Sequence, residues 1–190
     1  MMKTLIAGLA LALMAVPAMA NDYEPSMRDY LESEILLWAF DPVLIDAVRA
    51  QNERLNHPSQ ARIDQLDLDW RAEVGTSHHP LVDEVLISPA ADFLTSQVED
   101  SAGIVSEVFI MDENGLNVAA SSATSDYWQG DEAKFIETYG VGTGAVHVGD
   151  VEFDESVQAF LGQISIALTD PDTQEVIGAI TVGLNAEMLY

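Results

Sequence analysis

Apolar side chains recur at helical spacing in the first third of the chain. Met27, Leu31, Ile35 and Trp38 share one stripe, and Leu44, Val48, Gln51 and Leu55 continue a similar one. The acid-rich run from Glu24 to Glu34 suits a helix N-terminus and predicts a start near Ser26. Pro42 removes a backbone donor, so the pattern predicts a kink or restart there with Asp41 as N-cap. Ser59 predicts the cap of a second helix reaching about Leu66. Residues 67–80 read as irregular, and Leu81 to Val98 as two short helical pieces parted at Ser88-Pro89.

Beyond residue 104 the period changes. Val105 to Met111 is a largely apolar strand, and Asp112-Glu113-Asn114-Gly115 is a tight turn returning through Leu116 to Ala120. Asp131 to Thr138 predicts a short helix, and Ala145 to Val151 the next strand. Gln163 to Thr169 alternates, with Ile164, Ile166 and Leu168 on one face. After a turn over Asp170 to Gln174, the strand Val176 to Leu184 sets Ile180, Val182 and Leu184 on one side. It sets Thr181 and Gly183 on the other, where small side chains leave room for something to pack or bind. A long helical segment followed by a twisted antiparallel sheet of hairpins is an α+β plan. The insertion over 121–144 is the place where such a sheet acquires a pocket.

The N-terminus changes the picture of where this domain works. Lys3, the apolar run Leu5 to Val16 and the small-x-small site Ala18-Met19-Ala20 form a cleavable signal peptide, with the mature chain starting at Asn21. The expected destination is the periplasm or the exterior. The run is shorter than the roughly 20 residues of a spanning helix, and no later segment is long and apolar enough to span. The mature chain is therefore expected to carry no anchor and no output domain of its own. With no Cys, the domain relies on its core. The expected division is a leader over 1–20, a helical region over 21–100 and a sheet over 101–190, the last two forming one structural domain.

Charge narrows the partners. Loss of Lys3 leaves six Lys and Arg against 32 acids. That argues against nucleic acid and anionic membranes, which need basic patches. It serves solubility, and it biases the domain toward cationic ligands.

Catalytic signatures are missing. There is no Cys nucleophile, no Gly-x-Ser-x-Gly, no phosphate loop and no His-Glu-x-x-His. No enzyme activity and no cofactor are expected. His78-His79 before Asp83 and Glu84 reads as an exposed loop pair rather than a metal site, for want of regular ligand spacing. The densest chemistry is Thr124 to Phe135, where Tyr127 and Trp128 sit between Asp126 and Asp131. One reading caps a helix with Ser125 or Asp126 and buries Trp128. The other makes Tyr127 and Trp128 the walls of a pocket with an acid for specificity. Glu152-Phe153-Asp154-Glu155 is a second acidic cluster, and Asp170 closes a strand.

Three stretches carry a resemblance: Val108-Phe109-Ile110-Met111-Asp112-Glu113-Asn114-Gly115, then Ile164 to Asp170, then Ile177-Gly178-Ala179-Ile180-Thr181-Val182-Gly183-Leu184. With the helical lead-in and the Ser121 to Trp128 segment, residues 104–189 resemble an extracellular Cache domain, the PAS-like sensor fold also called PDC. Thr124 to Lys134 resembles small secreted stand-alone proteins of that type. The resemblance implies a long helical segment packed on a PAS-like sheet of about five strands, and a small-molecule sensor. In the amino-acid-binding members a Trp-Tyr pair, an aromatic-x-Asp and a strand-end Asp hold the ligand. Tyr127-Trp128 resembles the first in reversed order. Phe153-Asp154 resembles the second without its intervening residue, and Asp170 matches the third by position. The Arg that grips a ligand carboxylate has no counterpart, since no Arg follows Arg71.

The expected ligand site is therefore Tyr127, Trp128, Asp131, Asp154 and Asp170. Aromatics and carboxylates without Arg favour a cationic amine. Ca²⁺ on Asp126, Asp131 or Asp154 is the other reading. The competing functions are a structural or interaction module with a vestigial pocket and, more remotely, a metal-dependent hydrolase. Expected partners are the small ligand and a membrane-bound receptor or kinase, with a homodimer through the N-terminal helix also open.

Overall fold

The computed structural model describes residues 21–155 and 158–189. The leader over 1–20 lies outside the described residues. Among them no helix is long and apolar enough to cross a membrane.

Five helices precede the sheet: α1 Glu24–Ser33, α2 Pro42–Leu55, α3 Gln60–Glu73, α4 Pro80–Leu86 and α5 Pro89–Asp100. Their starts follow local chemistry. Asp41 accepts the N–H of Val43 at 2.9 Å ahead of α2, and Ser88 accepts that of Ala91 at 3.1 Å ahead of α5. Each satisfies a donor the helix itself leaves orphaned. A short 3-10 turn, Ile35–Leu37, carries the chain from α1 toward Pro42. The helix expected to end near Leu66 instead runs to Glu73. Ile63, Leu66 and Trp70 bury one face of it, and that burial overrides the polar run between them.

The strands are β1 Val105–Met111, β2 Asn117–Ala120, β3 Val146–Val148, β4 Glu152–Asp154, β5 Ala159–Thr169 and β6 Val176–Asn185. They pair antiparallel in the order β2-β1-β6-β5-β3, with β4 on the first part of β5. The α+β plan of a helical segment on an antiparallel sheet is borne out. The strand expected over Ala145 to Val151 is shorter, and β4 is a separate strand that periodicity does not announce. The β1–β2 hairpin turns on Gly115 at φ +78°. Asp112 Oδ1 accepts the N–H of Asn114 at 2.8 Å and of Leu116 at 2.9 Å. Burial pushes the Asp112 carboxyl above its ordinary value against these stabilising bonds.

Alternation divides the sheet into two faces. Val108, Ile110, Ile164, Ile166, Leu168, Ile180, Val182 and Leu184 face α1, α2 and α5, where Met27, Leu31, Leu44, Val48, Ala91 and Leu94 complete the main core. Each large side chain buried there contributes about 1.5–3 kcal/mol. The opposite face carries Glu107, Phe109, Met111, His147, Gln163, Ser165, Thr181 and Gly183. A second cluster built on Trp70, Phe109, Met111, Leu116, Tyr127 and Phe135 covers one end of that face.

Candidate ligand-binding cleft

Register sets the second face out in rows. His147, Ser165, Thr181 and Phe109 stand side by side across β3, β5, β6 and β1. The Ser165 and Thr181 hydroxyls meet at 2.8 Å, both fully buried. The short helix α6, Ala133–Ile136, packs on β5 and β3 and closes over this row. Lys134 Nζ lies 5.4 Å from the Phe109 ring centroid and is held by Glu132 at 3.0 Å and Gln129 at 3.2 Å. Glu137 meets His147 Nδ1 at 2.8 Å. The middle of the face is thus packed and hydrogen-bonded.

One row further along, the face opens. Glu107, Gly183 and Gln163 are neighbours across β1, β6 and β5. Gly183 has no side chain, so Glu107 lies across it and its Oε1 accepts from Gln163 Nε2 at 2.9 Å. A Cβ on Gly183 would stand 2.7 Å from Glu107 Cγ and 2.6 Å from Ser106 Oγ. This row floors a cleft of about 470 Å³, walled by Asp150, Glu152, Phe153 and Asp154 from the β3–β4 segment. Four carboxylates line it, with no Lys or Arg among the described residues. We expect Gly183→Ala to push Glu107 off this floor. The cost is about 1–3 kcal/mol of overpacking, read from the urea midpoint, together with weaker binding of any ligand the cleft takes.

The five residues expected to share one site are distributed over separate places. Residues 127–129 pair with 115–117: Asn117 N–H donates to Tyr127 O at 3.0 Å and Gln129 N–H to Gly115 O at 2.8 Å. In an extended pair successive side chains point oppositely. Tyr127 therefore turns into the core, 2% exposed, with its ring stacked 5.5 Å from Trp70. Burial, and then the nearby Asp112, push its hydroxyl pKa up. Trp128 is half-buried at the margin of the same cluster, and its Nε1 donates to Asn114 O at 2.9 Å. Neither Ser125 nor Asp126 caps a helix; Glu132 precedes α6 without a side-chain cap. Trp128 and Asp131 share a cleft of about 600 Å³ with Asp64, Asp67, Leu68, Arg71, Asp126 and Glu132. Its acids are largely engaged: Arg71 holds Asp67 at 2.7 Å and Asp126 at 3.0 Å, and Lys134 holds Glu132.

Asp170 stands apart from both clefts, at the β5–β6 turn. Arg49 on α2 donates Nε to Oδ2 at 2.6 Å and Nη2 to Oδ1 at 2.5 Å. The N–H groups of Asp172 and Thr173 also meet Oδ1. The guanidinium holds the Asp170 carboxyl well below the usual carboxylate range, and the arginine is raised in turn. These contacts clamp the helix to the turn. Only Asp154 of the five lines the cleft on the sheet face. Glu107, Gln163 and Asp150 were not anticipated there. The available signal was an acid within the apolar run Val105 to Met111, in register with Gly183. As to metals, no group of three His, Asp or Glu able to hold an ion is present among the described residues. His79 simply meets Asp83 at 3.0 Å.

No protein-family model matches the sequence, and no curated protein matches it. Solved structures with a similar chain course include the sensor domain of the V. cholerae histidine kinase DctB, with 14% identity and TM-score 0.47. It covers 88% of this chain and 53% of that one. The sensory domain of the Campylobacter jejuni chemoreceptor Tlp3 with isoleucine bound shows 14% identity and TM-score 0.39, covering 88% and 64%. The ligand-binding domain of the Pseudomonas aeruginosa PAO1 amino acid chemoreceptor PctC, in complex with GABA, shows 10% identity and TM-score 0.38, covering 86% and 62%. The chain thus spans between about half and two thirds of these chains.

Proposed function

We propose that this chain is an exported, Cache-type small-molecule-binding domain, not an enzyme, whose cleft over Glu107, Gly183 and Gln163 takes an organic cation. The observation that carries the reading is the cleft's charge: Glu107, Asp150, Glu152 and Asp154 line it, and no basic side chain among the described residues does. Gathered carboxylates repel one another, and an ammonium group relieves that repulsion while pairing with them. Phe153, 47% exposed on the wall, offers a face to the alkyl or cationic part of such a ligand. A volume of about 470 Å³ suits a small molecule.

The cleft beside Trp128 is the weaker candidate, because Arg71 and Lys134 already hold three of its acids. Export rests on the leader read at residues 1–20, and a binding domain delivered that way passes its ligand state to a membrane-bound receptor or kinase. The packed row under α6 favours a second reading, an interaction module without a ligand.

Calorimetric titration with an aliphatic diamine and, separately, a dicarboxylate of similar length discriminates the two. The first reading expects saturable binding of the diamine that weakens as salt rises, with no binding of the diacid. Silence toward both supports the interaction module, and binding of the diacid alone overturns the cationic ligand.

A further inference from the structure

The sheet ends at β3 on one side, and that short edge strand carries no acid, Lys, Arg or proline of its own. Gly149 N–H donates to Gln163 O and Ala167 N–H to Ala145 O, so residues 145, 147 and 149 face β5. By antiparallel alternation the backbone N–H and C=O of Val146 and Val148 turn outward. Exposed edges are ordinarily blunted by charge or proline. Here residues 138–149 contain no Asp, Glu, Lys or Arg, in a sequence with 32 acids. Beside the edge, Ile35 to Phe40 is also uncharged. Together they form a mainly apolar groove of about 480 Å³ lined by Leu31, Leu36, Phe40, Val146 and Ile166, with Glu32 as its one acid. Leu37, next to Leu36, is 78% exposed, and Val141 is 72% exposed.

We infer that this face pairs two copies of the chain, β3 against β3 across a two-fold axis. Antiparallel pairing of a strand with itself is self-complementary, which is what an isologous interface requires. Charge selects the same face. Two molecules each carrying a formal −25 repel wherever their acids meet. The β3 edge with Ile35 to Phe40 is a surface where they approach with less of that cost, since Glu32 is the one acid lining the groove and Glu137 is paired with His147. Leu36 lines the groove in each copy, with the exposed Leu37 next to it in the chain, so a two-fold contact there sets the two apolar surfaces against each other. This surface is separate from the acid-lined cleft and does not depend on its ligand.

Sedimentation velocity of the purified protein over a concentration series, at low and high salt, tests the inference. A dimer strengthened by salt is expected, since salt screens the repulsion between copies. Leu37→Asp and Val141→Asp change exposed side chains outside the core, so each variant is expected to fold and to sediment as a monomer. In hydrogen exchange, the Val146 and Val148 amides are expected to be slow in the dimer and fast in the Leu37→Asp monomer. A wild-type protein that stays monomeric at every concentration overturns the inference. So does a dimer that both variants leave intact, and so do Val146 and Val148 amides that exchange equally in dimer and monomer.

Discussion

Trp70→Ala is expected to destabilise the protein by about 3–5 kcal/mol, the range for removing a fully buried tryptophan. Trp70 on α3 is 0% exposed, stacks on Tyr127 and donates its Nε1 to Thr124 O at 2.9 Å. It joins the helical region to the insertion that covers the sheet's second face. The truncation removes the ring contacts and also leaves the Thr124 carbonyl without that partner. Asp67, one turn earlier, holds the same insertion by accepting the N–H of Tyr127 at 2.9 Å and of Trp128 at 3.2 Å. Equilibrium urea unfolding followed by fluorescence measures the loss. A shift below about 0.5 kcal/mol, the scale of an ordinary surface change, would mean that α3 does not hold the insertion in place.

Asp170→Asn is expected to lower the melting temperature markedly at neutral pH while leaving ligand binding unchanged. The carboxylate takes two guanidinium bonds and two backbone N–H groups, and the amide keeps at most part of that set. The pH dependence follows from the direction of the shift. Arg49 lowers the folded-state pKa of Asp170 below the unfolded value of about 3.9. Its stabilising contribution is therefore complete above that unfolded value and is lost as pH falls through the lower folded one. The gap in melting temperature between wild type and variant should be widest near neutrality and should close in acid. A gap that persists unchanged in acid would contradict the clamp. Loss of ligand response in a folded Asp170→Asn protein would return Asp170 to the binding site, where the sequence pattern had placed it.

Much of the fold is legible in local sequence. The restart at Asp41-Pro42, the break at Ser88-Pro89, the Asn114-Gly115 hairpin and the alternation from Ile164 to Leu168 are local signals, and local chemistry realises them. The extension of α3 past Leu66 was not readable. Its warrant is tertiary, the burial of Trp70 against Tyr127 and the second core cluster. The candidate site was less legible still. Tyr127 and Trp128 are adjacent in sequence, and adjacency suggested a shared wall. In the fold Tyr127 is buried in the second core cluster, and Trp128 is half-buried at its margin, lining a separate cleft. Asp170 offered a strand-end carboxylate, but its partner Arg49 is 121 residues away in the chain. Spacing alone cannot place a guanidinium that arrives from another element. The two small residues Thr181 and Gly183 have different fates. Thr181 is buried against Ser165, whereas Gly183 forms the floor on which Glu107 lies.

The acid-lined cleft is tested most directly by titrating a diamine into the wild-type protein and into Glu107→Gln, each at low and high salt. Glutamine at 107 keeps the shape of the floor and an acceptor for Gln163, and removes one of the four lining charges. Wild type is expected to bind, more weakly at high salt. The variant is expected to bind at least about tenfold more weakly, which is a loss of about 1.4 kcal/mol, with its urea midpoint little changed. Equal affinity in the two proteins, or binding indifferent to salt, would contradict a cation held by the carboxylates over Gly183.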